Sequence, residues 1–298
     1  MKKTQKNSNG FSHKDGKILK VGLNSTTKVG VLAFVRDSIA RKAKFSIVTP
    51  NPEIILMAQN DRGLAQSLEK ASLAIPDGIG LAQAARFLSL PAPRNILLRI
   101  PVCFVQGLAV GLATFIARDW LLDCLPVIKG RELFMELVKL ANKKGWRIFF
   151  LGGESGEAKG AGEKLRRSFK GARIAYSAGP MLDNEAKPKT QGDKAAEIYS
   201  LRQINEFRPH LLFVALEAPK QEKWLTKWLG TLDIGGGMVV GGTFRYISGQ
   251  AKLPPRWMEN LDLEWLWRLM TEPRRLKRVL TAFPIFPLKV FFHKLNTP

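Results

Sequence analysis

Ser72-Leu-Ala-Ile-Pro-Asp-Gly-Ile-Gly80 decides how the chain is read. Leu73, Ala74 and Ile75 form a short apolar run with the character of a buried strand. Pro76 and Gly78 end it with turn residues. Ile79 to Leu88 then places Leu81, Ala84, Ala85 and Leu88 at helical spacing. Asp77 therefore falls between a strand end and a helix start, on the edge of an open α/β sheet where ligands bind. A carboxylate there can act as a general base, hold a ribose or a metal, or cap the helix. On local sequence alone the cap is the plainer reading.

The same grammar repeats on both sides. Upstream, Ile18–Leu23 reads as a strand, Thr26–Ala43 as a helix, and Phe45–Val48 as a strand that runs into Thr49-Pro50-Asn51-Pro52-Glu53. Ile54–Gln59 continues as a helix with Pro52 near its first turn, where a missing N–H costs little. Thr49 and Asp77 thus both follow strand ends and can share one crevice. Downstream, helices are expected at Arg131–Asn142, Gly156–Phe169, Ala195–Phe207 and Lys223–Leu229. In the third of these, Ile198, Leu201, Ile204 and Asn205 lie along one side. Strands are expected at Trp146–Leu151, Arg173–Tyr176, Leu211–Leu216 and Met238–Val240. Three of them lead into polar or glycine turns: Gly152-Gly153-Glu154-Ser155-Gly156, Glu217-Ala-Pro-Lys-Gln-Glu222, and Gly241-Gly242-Thr243-Phe244. A glycine turn before a helix can bring backbone N–H groups to a phosphate, or can simply close a tight turn. Strands alternating with helices imply a mostly parallel, Rossmann-like α/β sheet with helices on both faces.

Composition adds a charge argument. The 298 residues carry 47 Lys+Arg against 25 Asp+Glu, a net charge of +22, so a polyanionic partner is expected, nucleic acid or an anionic membrane surface. Cys103 and Cys124 have no metal-type spacing and suit a reducing cytosol. Residues 1–16 read as a disordered basic arm, 17–247 as the α/β domain, and 248–298 as a C-terminal helical appendage. Within the α/β domain, 91–127 is an insert. Its run Val102–Ala117 is almost wholly apolar, shorter than the ~20 residues of a spanning helix, and suits a buried helix or one resting in a bilayer face equally well. In the appendage, Trp257, Leu261, Trp265 and Leu269 recur every four residues as one helix face, followed by a basic run through Arg274, Arg275, Lys277 and Arg278. Aromatic and basic together fit a membrane surface.

In this order the motifs resemble the WecG/TagA/CpsF family of glycosyltransferases. The residues that carry the resemblance are Val48-Thr49-Pro50-Asn51, Ile75-Pro76-Asp77-Gly78-Ile79-Gly80, Phe150-Leu151-Gly152-Gly153, Ala218-Pro219-Lys220-Gln221-Glu222, Val240-Gly241-Gly242-Thr243-Phe244, and Leu263-Glu264-Trp265-Leu266-Trp267-Arg268-Leu269 with Glu272-Pro273-Arg274-Arg275. Each tag is weak alone and specific in register. The resemblance implies an inverting transfer of a sugar, N-acetylmannosamine or similar, from a UDP-sugar to a polyprenyl-diphosphate-linked N-acetylglucosamine in cell-surface polysaccharide synthesis. It implies Asp77 as base with Thr49 beside it. For the donor it implies Gln221, joined by Asn51, Gly152, Gly153, Gly241 and Gly242. Arg256, Arg268, Arg274, Arg275 and Arg278 are then expected at the acceptor diphosphate and the membrane. No cofactor or metal is expected, since no Asp-x-Asp occurs. The expected location is the cytoplasmic face of the membrane, held peripherally, with a homo-oligomer possible and no nucleic acid bound.

Three departures matter. Val127-Ile-Lys-Gly130 stands where the family has Arg-x-x-Gly, so Arg99, Arg131 or Lys129 is expected to stand in for the active-site cation, Arg99 first. Glu217 replaces a usual Gly, and Arg245 a usual Asp. Two other classes compete. A nucleic-acid-binding protein is suggested by +22 but carries no recognised module. A Rossmann oxidoreductase or epimerase lacks the G-x-G-x-x-G fingerprint.

Overall fold

The computed structural model of the chain describes residues 14, 16–154, 156–260, 263–271 and 276–297. Gly16–Ile18 (β1) and Val21–Leu23 (β2) form an antiparallel hairpin outside the main sheet, in place of the single strand expected over Ile18–Leu23. Leu19 makes the reversal at φ 53°. Most of the expected N-terminal arm lies outside the described residues, but Lys14 already donates to the Leu68 and Glu69 carbonyls.

The main sheet comprises Phe45–Val48 (β3), Leu73–Ala74 (β4), Arg147–Gly152 (β5), Arg173–Ser177 (β6), Leu211–Ala215 (β7) and Gly236–Val239 (β8). Its order is β4-β3-β8-β7-β5-β6, and every pairing is parallel. All strand C-termini therefore lie on one edge. The helices up to that sheet's last crossover are Lys28–Ala40 (α1), Pro52–Asn60 (α2), Arg62–Lys70 (α3), Ile79–Ser89 (α4), Ile96–Ile116 (α5), Arg118–Cys124 (α6), Gly130–Lys144 (α7), Glu157–Ser168 (α8), Gln191–Phe207 (α9), Lys220–Trp228 (α10) and Thr243–Ser248 (α11).

Both sheet faces are apolar, as a doubly covered parallel sheet requires. Ile148, Phe150, Phe213 and Met238 face α1, α7, α8 and α11, while Phe149, Leu151, Leu212 and Val214 face the opposite layer. Phe134 of α7 centres the first layer, with ring centroids 4.7 Å from Phe213, 5.5 Å from Phe150 and 6.0 Å from Phe244. On α9 the expected apolar side is wrong: Ile198 is exposed, and Glu197 and Ser200 are buried beside Ile204. Glu197 is satisfied there because its Oε1 accepts from the indole N–H groups of Trp224 (2.9 Å) and Trp228 (3.1 Å).

The insert is the largest surprise. Its apolar run extends to a 21-residue helix, α5, of which only Cys103, Val110 and Ala113 are buried. Leu97, Phe104, Val105, Leu108, Leu112, Phe115 and Ile116 are all exposed, so the buried-helix reading fails. By length and composition α5 is long enough to cross a membrane, the one such helix among the described residues. It is nevertheless laid along the body: Gln83 of α4 hydrogen-bonds Thr114.

The C-terminal region folds as Arg256–Asn260 (α12), Glu264–Thr271 (α13), Leu276–Leu280 (α14), a π-helical turn over Thr281–Ile285, and Phe286–Asn296 (α15). The single helix expected to carry Trp257 and Trp265 is thus two helices, and both indoles are exposed. The end of the chain is not a detached appendage. Phe286, Val290 and Lys294 of α15 are buried, Phe291 stacks on Phe87 at 6.2 Å, and Lys294 donates to the Phe87 carbonyl and to Gln106 (2.7 Å).

Candidate active site

The loops after β3 and β4 are tied to each other at the C-terminal sheet edge. The Ile75 N–H donates to Val48 O (2.9 Å), Asp77 N–H to Pro50 O (2.9 Å), and Ile128 N–H to Pro76 O (2.9 Å). This ladder brings Thr49, Asp77 and the start of α7 to one point. The Gly130 N–H, first of α7, donates to Asp77 Oδ2 (3.3 Å). A Cβ on Gly130 would lie 3.1 Å from Thr49 Oγ1 and 3.3 Å from Asp77 Oδ2, so any larger residue crowds both. A helix N-terminus favours a neighbouring negative charge, which suits a carboxylate at this point. Asp77 is partly exposed and can be reached from solvent. It is not the cap of α4: Gly78 holds that position at φ 96°, with no side-chain cap.

Of the three basic residues expected to supply the site's cation, Arg99 is turned elsewhere. The Arg99 guanidinium donates to the Thr297 carbonyl, because α5 runs away from the sheet edge toward the chain end. Val127, at the family's arginine position, packs against the core. Lys129 and Arg131 flank Gly130 instead. Lys129 Nζ lies 2.8 Å from Glu264 Oε1, and Arg131 lies 2.5 Å from Glu259 Oε1 and 5.6 Å from the Tyr246 ring centroid. These pairs tie α12 and α13 to the start of α7. Arg278 Nε donates to both oxygens of Glu53 (2.8 and 3.0 Å) at the first turn of α2. Arg256 is exposed at the start of α12. Arg274 and Arg275 lie outside the described residues, as does the side chain of Arg268.

Several residues expected at the donor have structural work in this fold. Asn51 caps α2, its Oδ1 accepting from Ile54 N–H (2.9 Å). Gly153 N–H donates to Ala215 O (2.6 Å), and a Cβ on Gly152 would fall 2.7 Å from that same oxygen, so the glycine turn after β5 serves close packing. Gln221 is buried with both amide ends engaged: Nε2 donates to Glu222 Oε1 (2.9 Å) and Oε1 accepts from Gly241 N–H (3.1 Å). It anchors the turn after β8 rather than facing outward. That turn itself is open, since a Cβ on Gly241 or Gly242 would meet nothing within 4 Å.

Glu222, fully buried beside Gln221, has its carboxyl pushed up to about 7 by burial, against the hydrogen bond from Gln221 that lowers it. Burial also raises the carboxyl of Glu157, opposed by a backbone hydrogen bond and by Arg245, whose Nε lies 3.7 Å away. Arg245 thus finds a carboxylate partner on α8. Glu217 sits at φ 61°, the left-handed region that explains why Gly is usual there. Sequence reasoning missed Gly130, Glu259 and Glu264 as parts of the site. A basic-Gly-basic run at a helix start was the available signal for the first; the others depend on tertiary placement.

The profile of the glycosyl transferase WecG/TagA/CpsF family matches residues 16–100 and 108–298. Curated relatives are similar over most of their length. The N-acetylglucosaminyldiphosphoundecaprenol N-acetyl-beta-D-mannosaminyltransferase of Bacillus subtilis (strain 168) is 30% identical over 259 residues, 87% of this chain and 83% of that protein. The enzyme of the same name from Bacillus spizizenii is 28% identical, covering 83% of this chain and 79% of its own. That of Staphylococcus aureus (strain NCTC 8325 / PS 47) is 25% identical, covering 92% and 91%.

Proposed function

The chain belongs to the WecG/TagA/CpsF family of glycosyltransferases, and from that premise we propose that it moves N-acetylmannosamine, or a closely related sugar, from a UDP-sugar to a polyprenyl-diphosphate-linked N-acetylglucosamine with inversion. Family membership displaces the nucleic-acid and oxidoreductase alternatives. The observation that carries the reading is the convergence of Thr49, Asp77 and the α7 N-terminus on one partly exposed point. Asp77 takes the proton of the acceptor hydroxyl as its oxygen attacks the anomeric carbon. The bond from that carbon to the UDP oxygen breaks on the opposite face. A positioned base is worth about 10²–10⁴-fold for such a step. The open Gly241–Gly242 turn receives the donor diphosphate, and Lys129 and Arg131 offset charge developing on the leaving group. Gln221 serves the donor by fixing that turn.

The acceptor lies in a membrane, so the crevice must meet the bilayer. We read attachment as peripheral, at the cytoplasmic face. The support is the exposed apolar side of α5, continuous with α15, together with exposed Trp257 and Trp265. One side of α5 is fixed to α4 and α15, so the helix lies against the body instead of standing alone across a bilayer. Each Lys or Arg near an anionic leaflet adds roughly 1 kcal/mol. Phe286 and Val290 of the C-terminal region are part of the core, so this region cannot be cut away without unfolding that part of it. The direct test incubates the protein with UDP-N-acetylmannosamine and a polyprenyl-diphosphate-linked N-acetylglucosamine. A disaccharide lipid with the new linkage of opposite anomeric configuration supports the reading. Transfer from another donor only, or retention of configuration, overturns the corresponding part.

A further inference from the structure

Between α4, α5 and α15 lies an apolar cavity of about 310 Å³. Gly80 and Phe87 of α4, Gly107 and Val110 of α5, and Pro287 and Phe291 of α15 line it. Gly80 links this lining to the active-site loops. Gly80 is three residues past Asp77, and a Cβ on it would come 3.1 Å from Pro52 Cγ, beside Asn51. Glu53, the next residue, orients the Arg278 guanidinium. Around the first turn of α2 the fold therefore gathers a carboxylate, a cation and a hydrocarbon-lined space. The outer wall of that space includes Phe104 and Leu108, which are exposed on α5.

We propose that this cavity holds the first isoprene units of the lipid-linked acceptor. The proposal rests on the reading of the acceptor as a polyprenyl diphosphate. A ligand that joins a sugar to a hydrocarbon chain through a diphosphate offers a polar end to the active-site loops and an apolar end to this space. The volume is at the small end of the ~300–1,000 Å³ typical of small-molecule sites, so the cavity takes the proximal part of a chain and leaves the rest to the bilayer. The family profile passes over residues 101–107, which include Phe104 and Gly107. That part of the wall is therefore a feature of this chain beyond the shared family pattern.

The test uses the full chain in detergent micelles and a prenyl diphosphate carrying a photoreactive group on its first isoprene unit. Labelling is expected on α4, α5 and α15, displaced by unlabelled geranylgeranyl diphosphate at far lower concentration than by dodecyl phosphate. Gly107→Leu fills the space: a Cβ there meets only Phe87 Cε2, at 3.8 Å, and Leu favours a helix more than Gly does. The substitution should cut labelling about tenfold, the ratio expected when roughly two methylene groups lose an apolar site. Thermal melting checks that the variant is folded; should it not be, Leu108→Gln at the exposed rim replaces it. Label on other elements, equal displacement by dodecyl phosphate, or undiminished labelling of the folded variant overturns the cavity assignment. Labelling requires no sugar transfer, so loss of the transfer reading with labelling intact, or the reverse, tells the two failures apart.

Discussion

Asp77, past β4, and Gln221, past β7, stand on the same edge of one parallel sheet, Asp77 just before α4 and Gln221 in the first turn of α10. In sequence they look alike: a polar residue in a short Pro-containing turn after an apolar strand. In the fold they diverge. Asp77 keeps its carboxylate partly exposed, held at Oδ2 by the Gly130 N–H. Gln221 is buried and spends both ends of its amide on Glu222 and Gly241. A place on the sheet edge nominates a residue for chemistry, but its hydrogen-bond partners decide between reacting and holding. In the proposed reading the first region acts, while the second keeps a turn in place.

Asp77→Asn tests the acting half. Asparagine can still accept from Gly130 N–H but cannot take a proton at neutral pH. Transfer should fall about 10²–10⁴-fold with thermal stability and UDP affinity nearly unchanged. A rate near wild type would move the base elsewhere and erase the contrast.

Glu222→Gln tests the cost of the holding half. The carboxyl has its folded pKa raised to about 7 from 4.5. Below pH 4.5 both folded and unfolded chains hold the proton and nothing is lost. As pH rises from 4.5 to about 7 the unfolded chain releases it first, so this group lowers stability, by about 3 kcal/mol in all. The neutral, isosteric variant should therefore gain in melting temperature over wild type as pH goes from 5 to 8. A difference that is flat with pH would show that Glu222 is ionised in the fold at no cost.

Gln221→Ala sharpens the comparison most directly. It leaves the Gly241 N–H and Glu222 Oε1 without their partner, a loss of about 1–3 kcal/mol of stability. Denaturant titration should show the loss in the protein alone, before any donor is added. Normal stability with weakened donor binding would instead return Gln221 to direct contact with the sugar nucleotide.

Glu217→Gly is the smallest expected effect. Relief of the left-handed backbone at φ 61° outweighs the extra freedom glycine gives the unfolded chain, for a net gain of about 0.5–1 kcal/mol. Loss of stability would mean that the Glu217–Lys220 pair, 3.2 Å apart and largely exposed on the glutamate side, matters more than the backbone.

Much of this protein was legible before the structure. Short continuous apolar runs such as Phe149–Leu151 and Leu211–Val214 read as strands, and the burial of successive residues on opposite faces requires a sheet covered on both sides. Turn residues marked where Thr49 and Asp77 leave the sheet. Those are local consequences of backbone geometry and side-chain size, so sequence suffices for them. Tertiary structure decided what depends on distant partners. Ile198 faces solvent because Glu197 on the other side of α9 finds two indole donors. Arg99 points to the chain end because α5 carries it there, and Lys129 and Arg131 meet Glu264 and Glu259 because α12 and α13 fold onto the start of α7. Hydropathy identified α5 as apolar, but only packing showed which side α4 and α15 cover and which they leave exposed. The sum of a helix's residues sets how strongly it avoids water; the neighbours that the fold brings to it set where that surface goes.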